Sequence, residues 1–300
     1  MKINFVSRGG PHLASYRLRI GLPGDELVKA GHQVQIGEYD PLADVHVFSK
    51  HWDYKDYGRA QDSPCPIFDL CDDWFGREHD AHYRRMCGEC EVVVSSVRLR
   101  EIVLEQTGRC ATYIPEPYEL SEGTVREPRS SPVVLWFGHS SNLPTLKPYF
   151  DIPKLLICTN AVGKGIVPYS PRTLAQCLDA CDVVIIPQDK DWKSANRMVE
   201  SLRAGRFVVA ADIPAYRGFG QFLGDIREGL EWVSRNAGNI MERITFGRDV
   251  ISSFSPEAIG RTWSDYISAV EKRYSVATGT SIPTVTLTST GISRILATGT

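Results

Sequence analysis

Residues 182–211 read DVVIIPQDKDWKSANRMVESLRAGRFVVAA. An apolar run typical of buried strands, Asp182–Pro187, comes first, and a helical stretch then begins at Ser194 and ends at Gly205. A second apolar run, Arg206–Ala211, follows at once. A strand, a helix and a second strand in this order predict a parallel sheet that carries helices on its faces.

The same alternation fills the N-terminal half of the chain. The predicted strands are Lys2–Ser7, Gln33–Gly37, Asp44–Ser49, Pro66–Leu70, Glu91–Ser95 and Ala111–Ile114. The predicted helices are Leu13–Ala30, His79–Met86 and Val97–Gln106. Pro23 is expected to break or kink the first helix, because proline lacks a backbone N–H and its ring clashes with the preceding turn.

A second series of strands and helices follows a proline-rich stretch. Strands are predicted at Val133–Phe137 and Lys154–Cys158, and Ser170 is predicted to cap a helix that runs through Ala180. The predicted fold class is therefore α/β, with two Rossmann-like βαβ domains that face each other across a cleft, and a helical C-terminal segment. The predicted division is an N-terminal domain 1–118, a linker 119–132, a C-terminal domain 133–253, a helix 254–274 and a Ser/Thr-rich, loosely packed tail 275–300.

Composition and charge exclude several classes of protein. The chain has 300 residues, 42% of them hydrophobic, and a net charge of −2, which is ordinary for a globular protein and excludes long disorder, collagen and coiled coil. No apolar run is long enough for a transmembrane helix, and the N-terminus lacks the apolar core of a signal peptide. The sequence predicts a cytoplasmic protein without an integral membrane segment.

Neither the cysteines nor the glycine-rich turn after the first strand matches a known zinc-binding or nucleotide-binding motif. Cys87 and Cys90 form a lone C-x-x-C, and because a second pair at ligand spacing is missing, ordinary cysteines at a helix end are favoured over a zinc site. After the first strand, Gly9 and Gly10 lack the third glycine of a dinucleotide-binding fingerprint, and the sequence contains no P-loop. A nicotinamide dehydrogenase and a P-loop enzyme are therefore disfavoured, and no cofactor is predicted.

Several motifs resemble those of GT-B glycosyltransferases, of which the family 4 type is nearest. The most specific is the block Ser194–Tyr216. Weaker matches, persuasive mainly by their order, are Ser15–Arg19, Gly31–Val34, Phe68–Trp74, Ile114–Tyr118, Trp136–Gly138 and Leu178–Pro187. The resemblance implies metal-independent transfer of a hexosyl or pentosyl group from a UDP- or GDP-sugar to a hydroxyl acceptor, with retention at the anomeric carbon. The compact format also resembles phage sugar transferases that modify hydroxymethylated DNA bases, which would place the protein in a host cytoplasm.

The chain departs from the family pattern at one position. The family has two glutamates with seven residues between them, and the resemblance assigns the second, Glu200, to the nucleotide ribose. The first falls at Trp192, so the donor sugar contact is in doubt and Asp191 is its candidate substitute. The catalytic-loop histidine of the family is not evident, and the loop around Asp72 is the candidate replacement.

The departing diphosphate needs positive charge, which a helix start and a basic side chain supply. The helix start at Ser194, with Lys193 before it, is the predicted place. Asn196 and Arg197 in the first turn are weaker candidates, and Arg197 could equally be a surface residue. Gly138, at the end of a predicted strand, would let the backbone approach the phosphate closely.

The acceptor-side domain contributes candidates from two loops. Gly9 and Gly10 would admit the sugar, and Arg17 on the first helix is a candidate diphosphate ligand, with Arg19 directed elsewhere. Asp72 or Asp73 is the candidate general base. Two alternatives stay open: the carboxylate positions the acceptor, or it only caps the next helix.

The triplet Asp189-Lys190-Asp191 resembles the D-x-D metal motif of another glycosyltransferase fold, but its place late in a second domain favours a loop beside the donor, so no metal is predicted. The N-terminal domain holds more acidic than basic residues, which disfavours a broad DNA-binding face. Two other functions stay open. One is a nucleotide-sugar epimerase, which would turn over the donor without an acceptor. The other is a non-catalytic nucleotide-sugar-binding module.

Overall fold

Two six-stranded parallel sheets organise the chain, in a computed structural model that describes residues 1–7, 9–49, 53 and 55–278. The elements of the first sheet unit are β1 (Lys2–Val6), α1 (Ala14–Tyr16), α2 (Leu22–Lys29), β2 (Gln33–Gly37), β3 (Val45–Ser49), α3 (Lys55–Asp62), β4 (Pro66–Leu70), α4 (Asp80–Glu89), β5 (Glu91–Val94), α5 (Val97–Thr107) and β6 (Ala111–Tyr113). Their strand order is β2-β1-β3-β4-β5-β6.

The second unit repeats the architecture with more helices at its end. Its elements are β7 (Val134–Phe137), α6 (Leu143–Leu146), β8 (Leu155–Thr159), β9 (Ile166–Pro168), α7 (Pro171–Ala180), β10 (Val183–Ile186), α8 (Asn196–Arg203), β11 (Phe207–Ala210), β12 (Phe222–Leu223), α9 (Ile226–Arg235), α10 (Ala237–Ile251) and α11 (Pro256–Thr278). Their strand order is β12-β11-β10-β7-β8-β9. The prediction of two βαβ domains with a helical C-terminal segment is confirmed.

Each sheet buries both of its faces, which explains the unbroken apolar runs in the sequence. In the first sheet, Val6 and Phe48 belong to one apolar cluster and Phe5 and Val47 to another on the opposite face. The second sheet is covered in the same way by two clusters.

Both sheets have a point where the strand order reverses. In the first sheet β1 has β2 on one side and β3 on the other, and in the second β7 lies between β8 and β10. Ligands of open parallel sheets bind in the crevice that opens at the carboxyl ends of such strands. The loop with Gly9 and Gly10 follows β1, and Gly138 follows β7.

The first helix is not broken at Pro23, so that prediction is wrong. The chain runs from α1 through a π-helical turn, Arg17–Gly21, directly into α2. Pro23 falls in the first turn of α2, where a missing N–H is tolerated, and the π turn before it absorbs the change in hydrogen bonding. Gly31, with φ of 89°, follows the end of the helix as predicted.

One predicted cap is confirmed and another is wrong. Ser170 caps α7 in a reciprocal arrangement with Thr173. Ser194 does not cap α8: Ala195 occupies that position without a side-chain hydrogen bond, and the Ser194 hydroxyl donates to Glu116 instead. The physical reason is that the helix begins one residue later than predicted, so Ala195 takes the cap position and the Ser194 hydroxyl is left to donate to the buried Glu116 carboxylate.

The last helix returns to the first domain. Ile259, Trp263, Ile267 and Val270 of α11 belong to the same apolar cluster as Phe5 of β1. The helix also extends to Thr278, beyond the predicted end at 274, so the first residues of the predicted tail are helical. The rest of that tail, residues 279–300, lies outside the described residues.

Segment 114–133, all of which is described, contains no helix or strand, as its composition led us to expect of a linker. The domain boundaries themselves stay predictions. Elements that the sequence analysis did not identify include α3 and the short strands β9 and β12.

Candidate active site

The loop between β10 and α8 crosses from the second domain to the first. Trp192, at its tip, is only 6% exposed and packs into an apolar cluster of the first domain that includes Ile102 and Phe75. The Ser96 hydroxyl donates to the Trp192 carbonyl at 2.6 Å. The side chain at the position of the family's sugar-binding glutamate therefore acts as an apolar contact between domains.

Polar contacts flank Trp192 on both sides. Lys193 Nζ lies 2.7 Å from Asp72 Oδ1, and Asp191 forms an ion pair with Arg98 at 3.3 Å. Lys193 Nζ also lies 4.3 Å from the centre of the Trp192 ring. The fold thus brings together two predicted site residues, Asp72 and Lys193, from opposite sides of the cleft.

Asp73 and Asp191, two further predicted site residues, are each engaged in a contact with another protein group. Asp73 accepts a hydrogen bond from the Phe75 N–H at 3.0 Å, which places it in a turn and not at the start of α4. The Asp191 side chain is more than half exposed and bound to Arg98, so a contact with a donor sugar would require that ion pair to open.

Arg17 is bound by protein groups, and its role as a diphosphate ligand stays a prediction. Its guanidinium donates to both carboxylate oxygens of Glu119, to the Tyr169 hydroxyl at 2.6 Å and to the Pro11 carbonyl at 2.7 Å. These bonds raise the pKa of Arg17, chiefly through Glu119. Arg17 therefore ties the loop that holds Gly9 and Gly10 to the linker and to β9.

Arg19 is not a surface residue either. It is 0% exposed and forms an ion pair with Asp69, which also accepts a hydrogen bond from the Ser49 hydroxyl at 2.8 Å. Glu116 belongs to the same buried region, where desolvation raises its pKa and the nearby Arg19 opposes that shift. Through Glu116 and Ser194 this buried polar network reaches the second domain.

Glu200 lies beneath the linker. Its side chain is on the buried face of α8, the residue is 4% exposed, and its carboxylate oxygens accept the N–H groups of Glu119 and Leu120 at 2.6 and 3.3 Å. Burial raises the pKa of Glu200 to about 8, against the lowering effect of these hydrogen bonds. A ribose hydroxyl would have to share this carboxylate with the linker, so the ribose contact stays a prediction.

We expect Glu200→Gln to flatten the dependence of the free energy of unfolding on pH. The pKa of Glu200 is raised from 4.5 to about 8 in the folded protein, so between those values the folded state holds a proton that the unfolded state has released. Stability therefore falls as pH rises through this window, by at most about 1.4 kcal/mol per pH unit. Urea unfolding at pH 5, 6, 7 and 8 measures the slope.

The exposed Glu242→Gln is the matched control for this experiment. It should leave the slope of the wild type unchanged. Parallel stability curves for wild type and Glu200→Gln would show that Glu200 ionises normally in the folded protein.

The crevice at the end of β7 holds the remaining predicted donor residues. A Cβ added to Gly138 would lie 3.4 Å from the Trp136 ring and 3.6 Å from Arg197 Nη1, so packing alone does not demand glycine there. Asn196 is the first residue of α8. Because no side chain caps this helix, its first N–H groups are available to an anion.

Two cavities lie along the loop that carries Trp192. One, of about 400 Å³, opens between the domains and is lined by residues including Asp73, Arg77, Arg98, Glu105 and Lys190. The other, of about 370 Å³, lies at the carboxyl ends of the second sheet and is lined by residues including Thr145, Tyr149, Gln188 and Asp225. Asp189 borders both cavities.

Metal and membrane features were searched over the described residues. In that part of the chain, no group of three or more His, Cys, Asp and Glu side chains is placed to hold a metal ion. None of the described helices combines the length and apolar character needed to span a membrane. Cys87 and Cys90 are buried, and burial raises the pKa of Cys87 to about 12, as suits structural thiols.

No protein-family model and no curated protein matches this sequence. Solved structures do match. HepE of Anabaena in complex with UDP and glucose superposes with a TM-score of 0.65 at 12% identity, over 90% of this chain and all of that one. WaaG, a glycosyltransferase involved in lipopolysaccharide biosynthesis, gives 0.61 at 10% identity over 89% of this chain and 100% of that chain.

The chain has the GT-B fold. An α-glucosyltransferase in complex with UDP and a 13-mer DNA also matches, with a TM-score of 0.52 and 12% identity over 89% of this chain and 98% of its own. At such identities the GT-B neighbours establish architecture alone. Relationship to family 4 and a phage origin stay predictions.

The GT-B architecture brings several predicted residues to one cleft and adds others. Asp72, Lys193 and Ser194 make contacts across it, whereas Gly138 follows β7, and Asn196 and Glu200 lie on α8 in the second domain. Sequence analysis did not assign Glu116 or Tyr169 to the site, and it named Arg197 only as a weaker candidate. Glu116 lay within a recognised motif, but the strand β9 that positions Tyr169 gave no clear signal.

Proposed function

We propose that this chain is a glycosyltransferase that moves a sugar from a UDP- or GDP-sugar to a hydroxyl acceptor without a metal ion. The observation that carries the proposal is the crevice at the reversal point of the second sheet. There Gly138, the uncapped start of α8 and a basic side chain, Arg197, lie together. This arrangement suits a diphosphate. The match to structures determined with UDP and with UDP-glucose supports the same donor class.

The residues of the cleft then have distinct roles. The acceptor oxygen attacks the anomeric carbon while the bond from that carbon to the diphosphate oxygen breaks, and the diphosphate leaves with the electron pair. Asp72 is the proposed acceptor of the hydroxyl proton, and Lys193 beside it stabilises negative charge that develops on the diphosphate. Attack on the face from which the diphosphate leaves would retain the anomeric configuration, as the family resemblance implies, whereas attack on the opposite face would invert it. NMR of the product distinguishes the two outcomes.

The charge of the cavity between the domains bears on the acceptor. Its lining combines the cations Arg77, Arg98 and Lys190 with the carboxylates Asp73, Glu105, Asp189 and Asp191. A polyanion such as DNA gains affinity mainly from unbalanced positive charge, which this lining lacks. We therefore propose a neutral acceptor rich in hydroxyl groups, such as a glycan, ahead of a hydroxymethylated DNA base.

The first test is a thermal-shift panel with UDP, GDP, ADP and CDP and their sugar conjugates. A ligand present at about 100 times its Kd adds about 2.7 kcal/mol to the free energy of unfolding. The donor so identified is then incubated with glycan acceptors and with hydroxymethylated DNA. Turnover only with an acceptor supports the transferase, whereas turnover without one indicates an epimerase and binding without turnover a binding module.

Lys193→Ala belongs in the same assay. It is expected to keep the thermal shift with the donor and to lower turnover about 100-fold, because it removes a charge aimed at the leaving group. Lys164→Ala, at an exposed position that lines neither cavity, is the control. Unchanged turnover in Lys193→Ala would remove this lysine from the reaction.

A further inference from the structure

Arg197 differs from three other basic residues of the cleft, each of which is bound to a carboxylate. Arg17 is bound to Glu119, Arg19 to Asp69 and Lys193 to Asp72. The Nη1 atom of Arg197, in contrast, is buried and has no hydrogen-bond partner in the described part of the chain. Arg197 sits in the first turn of α8, where no side chain serves as the cap.

A buried guanidinium nitrogen without an acceptor is unfavourable. Such a group loses its water and gains nothing in return, so nearly all buried donors in folded proteins are paired. The same position would become favourable if an anionic oxygen occupied the crevice beside it, because Arg binds phosphate through parallel charge-assisted hydrogen bonds. The unpaired nitrogen thus points to a ligand with acceptor oxygens.

Arg197 also lies where the phosphate groups of a bound nucleotide are expected. Its Nη1 lies 3.6 Å from where a Cβ of Gly138 would be, at the carboxyl end of β7. Glu200, predicted to bind the ribose, is three residues further along the same helix and therefore lies on a neighbouring part of the same face. The axial rise between the two residues is about 4.5 Å, which is comparable to the distance between the ribose and the phosphates of a nucleotide.

We propose that Arg197 is the main side-chain ligand of the donor diphosphate. This inference rests on the proposed function and deepens it by assigning the charge that holds the donor. It also explains why Gly138 is glycine where packing would admit alanine: a methyl group there would stand against Arg197 Nη1 and narrow the space for the phosphate. Lys193 is bound to Asp72, so we assign it to the reaction step and not to the binding of the donor.

The test is isothermal titration of the full chain with UDP, GDP, uridine and guanosine. Arg197→Ala is expected to raise the Kd of the preferred diphosphate about 10- to 100-fold and to leave the Kd of the matching nucleoside unchanged, because the nucleoside lacks the groups that Arg197 binds. Arg197→Lys should recover part of the loss. Arg217→Ala, an exposed arginine paired with Asp212, is the control and should match the wild type.

The melting temperature of the protein without nucleotide tests whether Arg197 Nη1 is unpaired. Removal of a buried donor that has no partner should not lower the melting temperature of the free protein, so Arg197→Ala should melt at or above the wild-type temperature without nucleotide. Diphosphate affinity equal to wild type in Arg197→Ala would overturn the inference while leaving the proposed function intact. Equal losses for the diphosphate and the nucleoside would also overturn it. A wild-type chain that binds neither UDP nor GDP would overturn both.

Discussion

Replacement of Trp192 by alanine is expected to lower the free energy of unfolding by about 3–5 kcal/mol, the range for deletion of a large buried aromatic side chain. Trp192 belongs to the second domain by sequence but is buried in the apolar cluster of the first. The change therefore leaves a cavity between the domains and removes an anchor of the loop that also carries Lys193. Urea unfolding followed by far-UV circular dichroism measures the loss.

Two comparisons sharpen this experiment. Trp192→Phe keeps an apolar ring in the cluster and should lose less than half as much stability as the alanine variant. Binding of nucleotide to Trp192→Ala should persist, because the crevice at Gly138 and α8 belongs to the second domain. A loss below about 1 kcal/mol in Trp192→Ala, typical of a surface substitution, would show that the loop does not hold the domains together.

The second large effect is expected at the buried ion pair of Arg19 and Asp69. Asp69→Leu leaves the Arg19 charge buried without its main counter-ion, and we expect a loss of about 3–5 kcal/mol. The double variant Arg19→Met with Asp69→Leu removes both charges. It should be more stable than Asp69→Leu alone, because the Arg19 charge is no longer buried without Asp69.

Guanidinium unfolding of the single and double variants measures this coupling. The exposed pair Arg217 and Asp212 provides the matched control, and Asp212→Leu should change stability by less than about 1 kcal/mol. A single Asp69→Leu variant that unfolds like the wild type would mean that another group, such as Glu116, already balances the Arg19 charge.

The sequence was informative wherever one local rule decides the structure. The strands β2 and β4 and the helix α7 have the predicted bounds, because apolar runs, glycine stops and a Ser-Pro start act within a few residues. The π turn before Pro23 was not predicted. Its altered hydrogen bonding accommodates the N–H that Pro23 lacks, and no rule for single residues describes such a combination.

Contacts between the domains could not be predicted in the same way. Ser194 has the pattern of a cap, but its hydroxyl binds Glu116, which is distant in sequence. Trp192 and Arg17 likewise acquire their partners only when the two sheets face each other. The sequence therefore predicted which residues belong to the candidate site. It could not predict which basic side chains are bound to protein carboxylates, because those partners are distant in sequence.

The return of α11 to the first domain has a consequence for the order of folding. During synthesis the first sheet leaves the ribosome long before Ile259, Trp263 and Ile267, which complete one of its two apolar faces. Until then that face is covered only in part, by Ile20 and Leu27, and its open part is exposed to aggregation or to chaperones. The N-terminal half is thus a folding unit that the C-terminus closes, and an expressed fragment that ends in the linker would expose the surface that α11 covers.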